Sequence, residues 1–168
     1  LHVSFINCLF ECNMKNFLQV SCLTNNFKPY GSILDFSSST FRTDNVSYML
    51  ANTNFETIKM NDTKFQGVIN LSYMFANNKY LKNIVSTNIH HEGNVINITG
   101  MFQNSSVDDV NLSNITQNAP IKEARNVFRD CLNLKKAVCT NLNFVSNNGQ
   151  LDIDGFFGRC NNLNEIDC

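Results

Sequence analysis

Seven cysteines are the residues of this 168-residue chain best suited to chemistry, because a thiol can form a disulfide, bind a metal ion or act as a nucleophile. Four of them, Cys131, Cys139, Cys160 and Cys168, follow the spacing C-x7-C-x20-C-x7-C. Structural zinc sites usually take their cysteines in pairs about two to four residues apart, which is closer than in this set. Buried thiols are the favoured interpretation. A disulfide between Cys131 and Cys160 stays open, because neighbouring coils of a repeat lie at disulfide distance.

Two further clusters invite a chemical interpretation. His90, His91 and Glu92 are adjacent, so their side chains point in different directions, and no third His or Cys stands at ligand spacing. They are predicted to lie in a solvated return loop. Asp108 and Asp109 are candidates for acid–base chemistry, but no Ser/His/Asp elbow and no Gly-rich phosphate loop accompanies them. The sequence therefore predicts a protein that is not an enzyme, with no catalytic, metal-binding or cofactor-binding residue and no cofactor.

An internal repeat defines the elements that must position these residues. Its first half consists of a polar residue, an aliphatic residue, a small oxygen-bearing residue, then Tyr or Gly, and finally a bulky apolar pair. This half recurs at 45–50, 70–75, 97–102, 123–128 and 152–157. Its second half is an apolar triplet spaced φxxφxφ, found as Ile33/Phe36/Ser38, Phe55/Ile58/Met60, Leu81/Ile84/Ser86, Val107/Val110/Leu112, Leu134/Ala137/Cys139 and Leu163/Ile166/Cys168. Intervals of roughly 22 to 29 residues are typical of solenoid proteins.

Each half of the repeat predicts one short element. The alternation in the second half is that of a strand with one buried face. In the first half, the side-chain oxygens of Ser47, Ser72, Thr99 and Asp154 are placed to accept a backbone N–H and open a helical or 3₁₀ turn. The predicted fold is an α/β solenoid: a leucine-rich-repeat-like right-handed coil with one parallel β-sheet and short helical or 3₁₀ turns on the opposite face.

Stacking of such coils predicts two inward columns of small or thin side chains. The first column contains Tyr30, Thr53, Asn78, Ser105, Cys131 and Cys160. The second contains Ser38, Met60, Ser86, Leu112, Cys139 and Cys168.

The pattern φ-[ST]-[YG]-M-F-x-x-[CNST]-x-x-φ-x-x-φ resembles the BspA-like leucine-rich repeat surface proteins, whose units carry MFxxC followed by LxxLDLSNF. VDDVNLSNI at 107–115 and SILDFSSSTF at 32–41 are close to the second segment. The resemblance covers about residues 27–168, as six repeats that are continued or capped beyond 168. Residues 1–26 are predicted to form an irregular N-terminal coil or cap.

The outward positions of the predicted strands are the candidate partner-binding residues. They are Glu56, Thr57, Lys59, Lys82, Asn83, Asp108, Asp109, Lys135, Lys136 and Glu165. Opposite charges on neighbouring strands favour one register by a few tenths of a kcal/mol up to ~1 kcal/mol, so a register-setting charge ladder is the favoured interpretation. A recognition surface is compatible with it, because the exposed sheets of open solenoids are where ligands dock.

Composition excludes some classes of partner. The formal net charge of -1 argues against a nucleic-acid surface, which ordinarily carries a basic excess. No apolar run of about 18 residues is present, so no membrane span is predicted in this segment. Asn45, Asn70 and Asn97 begin N-x-[ST] sequons and are candidate glycosylation sites, although they also restate the repeat.

The resemblance implies a noncatalytic, adhesin-like module that is extracellular or on a cell surface and contacts a protein or a glycan through its exposed sheet. The alternative is a structural subunit of a filament, capsid or cytoskeletal lattice, located inside a cell or in a virion. In that alternative the chain self-associates through its ends, because Cys168 closes the final repeat without a polar cap.

Overall fold

The computed structural model describes residues 1–17, 30–53, 55–92, 96–117, 119–146 and 149–168. These residues form a parallel β-solenoid of about five turns with almost no helix. The prediction of stacked repeats joined by parallel strands is confirmed. Within these ranges no helix is long and apolar enough to cross a membrane. The predicted boundary at residue 27 lies outside the described residues.

The strands are very short and pair only with equivalent strands of neighbouring coils. In chain order the elements are β1 (His2–Ser4), β2 (Leu9–Phe10), β3 (Ile33–Asp35), β4 (Thr40–Arg42), β5 (Thr57–Lys59), β6 (Lys64–Gln66), β7 (Asn83–Val85), β8 (His90–Glu92), β9 (Ile96–Asn97), β10 (Asp109–Asn111), α1 (Leu112–Thr116), β11 (Ile121–Glu123), β12 (Lys136–Val138) and β13 (Glu165–Asp167). The four sheets have the orders β1-β3-β5-β7, β2-β4-β6-β8, β9-β11 and β10-β12-β13, and every pairing is parallel. Equivalent side chains therefore form continuous columns along the solenoid.

The prediction of a single sheet is wrong. The segment expected to be a polar return instead forms a second wall, β2-β4-β6-β8. In β4 and β6 the central residue is buried and its neighbours are not, as the two-residue period of a strand requires. Those central residues, Phe41 and Phe65, stack with their ring centroids 5.3 Å apart, and Phe10 stacks on Phe41 at 4.9 Å. The second wall thus supplies an aromatic column to the core.

The prediction of helical or 3₁₀ turns on the opposite face is also wrong, because consecutive β-turns occupy that face. The N–H of Met49 donates to Val46 O at 3.1 Å within its own coil. The N–H groups of Tyr48 and Leu50 donate instead to Ser72 O and to the next coil's Met74 O, each at 3.0 Å. A helix would direct its N–H groups along its own axis, whereas these turns alternate between internal and inter-coil bonds. The face is therefore hydrogen-bonded from coil to coil like a sheet.

Left-handed backbone at fixed positions produces this alternation. Tyr48 and Asn52 have φ of 55° and 58°, and Tyr73 and Asn77, one coil on, have φ of 55° and 59°. An α-helix or 3₁₀-helix needs negative φ throughout, so these residues exclude one. Among the described residues other than Gly, Asn is the commonest at positive φ, because its side chain tolerates left-handed backbone in tight turns.

Gly100 occupies the position equivalent to Tyr48 and Tyr73 in the next coil, and it shows why that coil needs Gly there. It has φ of 61°, and a Cβ atom at this position would collide with the ring of Tyr73. Tyr73 in turn stacks on Tyr48 at 4.8 Å. The absence of a side chain at Gly100 lets the Tyr73 ring lie flat against the next coil.

The bulky pair of each turn segment forms the centre of the core. Phe75, Phe102, Phe128 and Phe157 stack with successive ring centroids 5.1, 5.2 and 5.4 Å apart. The first three of these rings have no solvent exposure, and the Met residues that precede Phe75 and Phe102 are equally buried. Both residues of the pair therefore point inward in these coils.

The first small-residue column supplies hydrogen bonds to buried backbone. Three residues after the bulky pair, the side chain reaches back to the carbonyl of the preceding coil's pair: Asn78 donates to Leu50 O at 2.8 Å, Ser105 to Phe75 O at 2.6 Å, and Cys131 to Phe102 O at 3.0 Å. A buried carbonyl needs a partner, so this column requires small donors and tolerates Ser, Thr, Asn or Cys.

The structure corrects the columns at their N-terminal ends. Leu34 pairs with Ile58, the middle residue of the next triplet. The last two positions of the first triplet are therefore Leu34 and Phe36, and the predicted triplet Ile33/Phe36/Ser38 is two residues out of register. Ser38 is exposed at a corner with φ of 59°, and Tyr30 is 74% exposed, so neither belongs to an inward column. Val3 pairs with Leu34, which brings the first residues of the chain into the same stack.

Helix α1 ends the second wall. It occupies the place in its coil where a strand after β8 would be expected, and Asn111 caps it by accepting the N–H of Asn114 at 2.9 Å. The carbonyl of Ile115 contacts the ring of His91, the central residue of β8. A short helix thus covers the last aromatic rung of the β2-β4-β6-β8 sheet.

Candidate binding face

All ten residues predicted to face outward lie at the surface. We call this set the strand face. Lys82, Asn83, Asp109, Lys135 and Glu165 are exposed. The remaining members, Glu56, Thr57, Lys59, Asp108 and Lys136, are half-buried. Strand pairing places Thr57 beside Asn83, and Asp109 beside Lys136, which in turn lies beside Glu165.

Ion pairs join neighbouring coils across the strand face. Lys82 Nζ lies 3.5 Å from Glu56 Oε1, and Lys135 Nζ lies 3.8 Å from Asp108 Oδ2. Lys136 pairs with Glu165, and the carboxylate of Glu165 raises the pKa of Lys136. These contacts agree with the predicted charge ladder. Most of the participating side chains are substantially exposed, so solvent screens the pairs and they fix register more than they add stability.

A break in the strand pairing divides the strand face. No ladder of the described residues joins β7 to β10, although both belong to the same column of strands. The N–H groups of Lys82 and Asn83 both donate to Glu56 O, and those of Lys135 and Lys136 both donate to Asp108 O. Among the described residues, the N–H groups of Asp108 and Asp109 do not donate to Lys82 O in the same way. The face therefore opens between the coil of β7 and the coil of β10.

A small cleft lies at this break, on the edge where the turn segment meets the strand. We call it the notch. It has a volume of about 150 Å³, and its lining includes Tyr30, Glu56, Tyr80, Lys82, Asp108 and Asn133. The sequence placed Glu56, Lys82 and Asp108 on this surface, but it assigned Tyr30 to the core and overlooked Tyr80 and Asn133. The signal for the notch in the sequence is the pair Tyr30 and Tyr80, because each stands shortly before a predicted strand.

The three candidate glycosylation sites have a structural role in the turn segment. Asn45, Asn70 and Asn97 are half-buried, and each Oδ1 accepts the backbone N–H two residues on, at 2.9, 3.0 and 2.8 Å. These Asx-turns begin the turn segment. The predicted opening of the turn by the oxygens of Ser47, Ser72 and Thr99 is therefore wrong for these coils, because the preceding Asn supplies the acceptor.

His91 lies on strand β8, half-buried and pointing towards the core, and is not part of a solvated loop. Its ring stacks on Phe65 with centroids 5.0 Å apart and continues the aromatic column of the second wall. Nε2 lies 2.9 Å from Ile115 O and must carry the proton, since a carbonyl accepts. Nδ1 is buried and has no hydrogen-bond partner among the described residues. Burial lowers the pKa of His91, and nearby His90 lowers it further, against an opposing effect of the bond to Ile115.

We expect stability to decrease with acidification because of His91. Its folded-state pKa lies below the ordinary 6.5, so the unfolded chain binds more protons in the window that begins near pH 6.5 and extends down to the folded pKa. The contribution is complete above that window and is lost as pH falls through it. Urea unfolding of the wild type and of His91→Phe between pH 8 and pH 5 measures this loss. His90→Gln is the control, and an equal pH dependence in His91→Phe would contradict the assignment.

The described cysteines carry free thiols: Cys8, Cys12, Cys131, Cys139, Cys160 and Cys168. This supports the predicted buried thiols for Cys131 and Cys139, whereas Cys160 is half-buried and Cys168 exposed. Burial raises the pKa of Cys131 and of Cys139 to about 12.

Alkylation by iodoacetamide at pH 8 should therefore divide the thiols. We expect exposed Cys12 to react in the native protein and Cys131 to react only after unfolding, because a buried thiol of raised pKa yields little thiolate. Peptide mapping by mass spectrometry identifies the modified sites. Unfolded protein in urea is the reference, in which both should be alkylated. Similar native rates for Cys12 and Cys131 would be inconsistent with this packing.

No group of three or more His, Cys, Asp or Glu side chains that could hold a metal ion occurs in the described part of the chain.

Comparisons with protein-family models, with curated proteins and with solved structures found no match to the chain.

Proposed function

We propose that the chain is a noncatalytic binding solenoid that contacts a partner protein or glycan through the strand face. The observation that carries the proposal is the placement of ten outward, mostly charged or amide side chains on one surface of a rigid stack. Both signs of charge alternate along this surface, which favours a partner with complementary charges over nucleic acid.

The repeat pattern supports an adhesin-like role at a cell surface or outside the cell. The proposal includes a leucine-rich-repeat-like unit related to the BspA-like proteins, on the strength of the MFxx[CNST] segment. The hydrogen bonds from this segment's last residue to buried carbonyls give a physical reason for its residue types. Intact mass measurement for glycans on Asn45, Asn70 and Asn97 tests the localisation, since occupied sequons require passage through a secretory route.

Charge reversal tests the strand face. We expect Lys135→Glu/Lys136→Glu to lose binding on an array of extracellular-matrix proteins and glycans, because it inverts two adjacent cations of the face. The matched control is Lys64→Glu/Lys122→Glu, which makes the same change in net charge at exposed positions of β6 and β11. Equal binding by the two double variants would count against the strand face.

A second candidate is a structural subunit that self-associates through its ends, in an intracellular or virion assembly. Its specific support is an apolar surface around the last rung, where Ile153 and Ile166 are 43% and 49% exposed. A cleft of about 410 Å³ there is lined by Leu142, Phe144 and Phe157. Sedimentation velocity over a hundredfold concentration range tests this candidate. Oligomers that are lost in Ile166→Glu favour assembly, and a concentration-independent monomer favours the adhesin-like module.

A further inference from the structure

We propose that the notch binds a single neutral saccharide ring, as the specificity-determining part of the strand face. The inference deepens the proposed function and rests on it for the role of the surface, but the site itself is defined by its own geometry. Four features support it: the cavity size, two exposed aromatic rings, available hydrogen-bonding groups and balanced charge.

The size of the notch limits its ligand. A volume of about 150 Å³ is well below the roughly 300–1,000 Å³ of sites that enclose drug-sized ligands. A single six-membered sugar ring matches this scale, while a folded protein loop or an oligosaccharide would have to extend onto the adjoining surface. The lining residues come from coils on both sides of the break between β7 and β10, so such a ring would lie across the edges of neighbouring coils.

Two tyrosines provide the apolar contact that a sugar ring requires. Tyr30 is 74% exposed and Tyr80 is 46% exposed, and both line the notch. The other two tyrosines, Tyr48 and Tyr73, are instead stacked on each other in the turn segment. An exposed Tyr combines a flat apolar face with a polar hydroxyl, so it contacts the C–H face of a pyranose and hydrogen-bonds its substituents.

Polar groups of both hydrogen-bonding types surround these rings. Asn133 is exposed and Ser106 is half-buried, and both line the notch with a side chain that can donate and accept a hydrogen bond. Glu56 is held in place, since its carboxylate accepts the N–H of Gly31 and pairs with Lys82. Amides and carboxylates together accept and donate to the vicinal hydroxyls of a sugar.

The charges at the notch favour a neutral ligand. Lys79 and Lys82 contribute two positive charges, and Glu56 and Asp108 contribute two negative charges. Lys82 lies 3.5 Å from Glu56, and Asp108 is paired with Lys135 at 3.8 Å. Because the positive and negative charges of the lining balance, the notch has no net charge to attract an ionised sugar, and we expect galactosides, mannosides or N-acetylglucosaminides to bind in preference to glucuronides.

Saturation-transfer difference NMR with methyl galactoside, methyl mannoside, methyl N-acetylglucosaminide and methyl glucuronide tests the proposal. We expect at least one neutral glycoside to bind the wild type with Kd on the order of 1 mM, the affinity of a ligand of this size. Tyr80→Ala should weaken binding at least about tenfold, while Tyr80→Phe should retain most of it because the ring remains. Leu132→Ala, at an exposed neighbouring position that does not line the notch, is the control and should have no effect.

The result that overturns the inference is the absence of binding by all neutral glycosides at tens of millimolar, preferential binding of the glucuronide, or equal binding by Tyr80→Ala and wild type. Circular dichroism verifies that each variant is folded. Lys136→Glu separates this site from the wider face, because Lys136 is not among the lining residues. Glycoside binding that survives in Lys136→Glu while array binding is lost supports both proposals. Glycoside binding with array binding unchanged in Lys136→Glu overturns only the role of the strand face, and array binding that is lost in Lys136→Glu without any glycoside binding by the wild type overturns only the notch.

Discussion

Replacing Phe102 with Ala is expected to lower the free energy of unfolding by about 3–5 kcal/mol. Phe102 has no solvent exposure and lies between Phe75 and Phe128, with ring centroids 5.1 and 5.2 Å away. The substitution removes burial of a large apolar side chain and two stacking contacts, and the coils on either side cannot close the void without breaking their inter-coil hydrogen bonds. Urea unfolding followed by circular dichroism measures the loss.

Two companion variants define the specificity of this effect. Leu132→Ala, at a position 54% exposed, should change stability by no more than about 0.5 kcal/mol. Phe102→Leu keeps most of the volume and should lie between that variant and Phe102→Ala. A loss below about 1 kcal/mol for Phe102→Ala would show that the aromatic column is not the centre of the core.

Replacing Asn78 with Ala is expected to cost at least about 2 kcal/mol, although Asn78 is polar and its removal creates little apolar cavity. Its amide donates to Leu50 O at 2.8 Å and to Phe75 O at 3.0 Å, and its Oδ1 accepts the N–H of Thr53 at 2.8 Å. Asn78 has no solvent exposure, so the substitution leaves the buried N–H of Thr53 without a partner, at a cost of about 1–3 kcal/mol. Leu50 O and Phe75 O each lose one of two bonds and keep the bond from Thr53 Oγ1 or Ser105 Oγ, so each loss adds about 0.5–1.5 kcal/mol.

Asn78→Ser is the matched comparison, because Ser occupies the equivalent position as Ser105 one coil further on. A hydroxyl can restore one of the two donor bonds, so we expect an intermediate loss measured by the same urea titration. Stability of Asn78→Ala equal to that of Asn78→Ser would mean that water replaces the amide, and the argument from unsatisfied backbone would fail.

Much of the core could be predicted from the repeat, because its apolar positions follow from spacing alone. The inward pair at Met74 and Phe75 and the column through Asn78 are examples. The conformation of the turn segment could not be predicted. A helical turn and a pair of β-turns bury the same residues, and they differ in whether Tyr48 adopts positive φ. Tyr has no intrinsic preference for that region, so its conformation comes from the hydrogen bonds of the next coil.

The second wall was missed because its signal is one aromatic residue per coil. Phe41 and Phe65 are each flanked by polar residues, which made a solvated return segment the simpler interpretation. His91 shares their column, and aligning the three positions would have predicted its burial. The outward strand residues were predictable from alternation, whereas the notch was not, since it depends on the missing pairing between β7 and β10.

The spacing between equivalent strand positions is not constant. It is 24 residues from Leu34 to Ile58 and 29 residues from Ala137 to Ile166. Among the described residues, each coil is hydrogen-bonded to its nearest neighbours, and the corner between the first strand and the second wall is aligned as well, since Ser38 N–H donates to Asn61 O and Asp62 N–H donates to Thr87 O. The spacing varies at the corners on either side of the turn segment. Insertions and deletions at the corners therefore leave the columns intact, and evolution can alter the outline of the molecule one coil at a time without redesigning its interior.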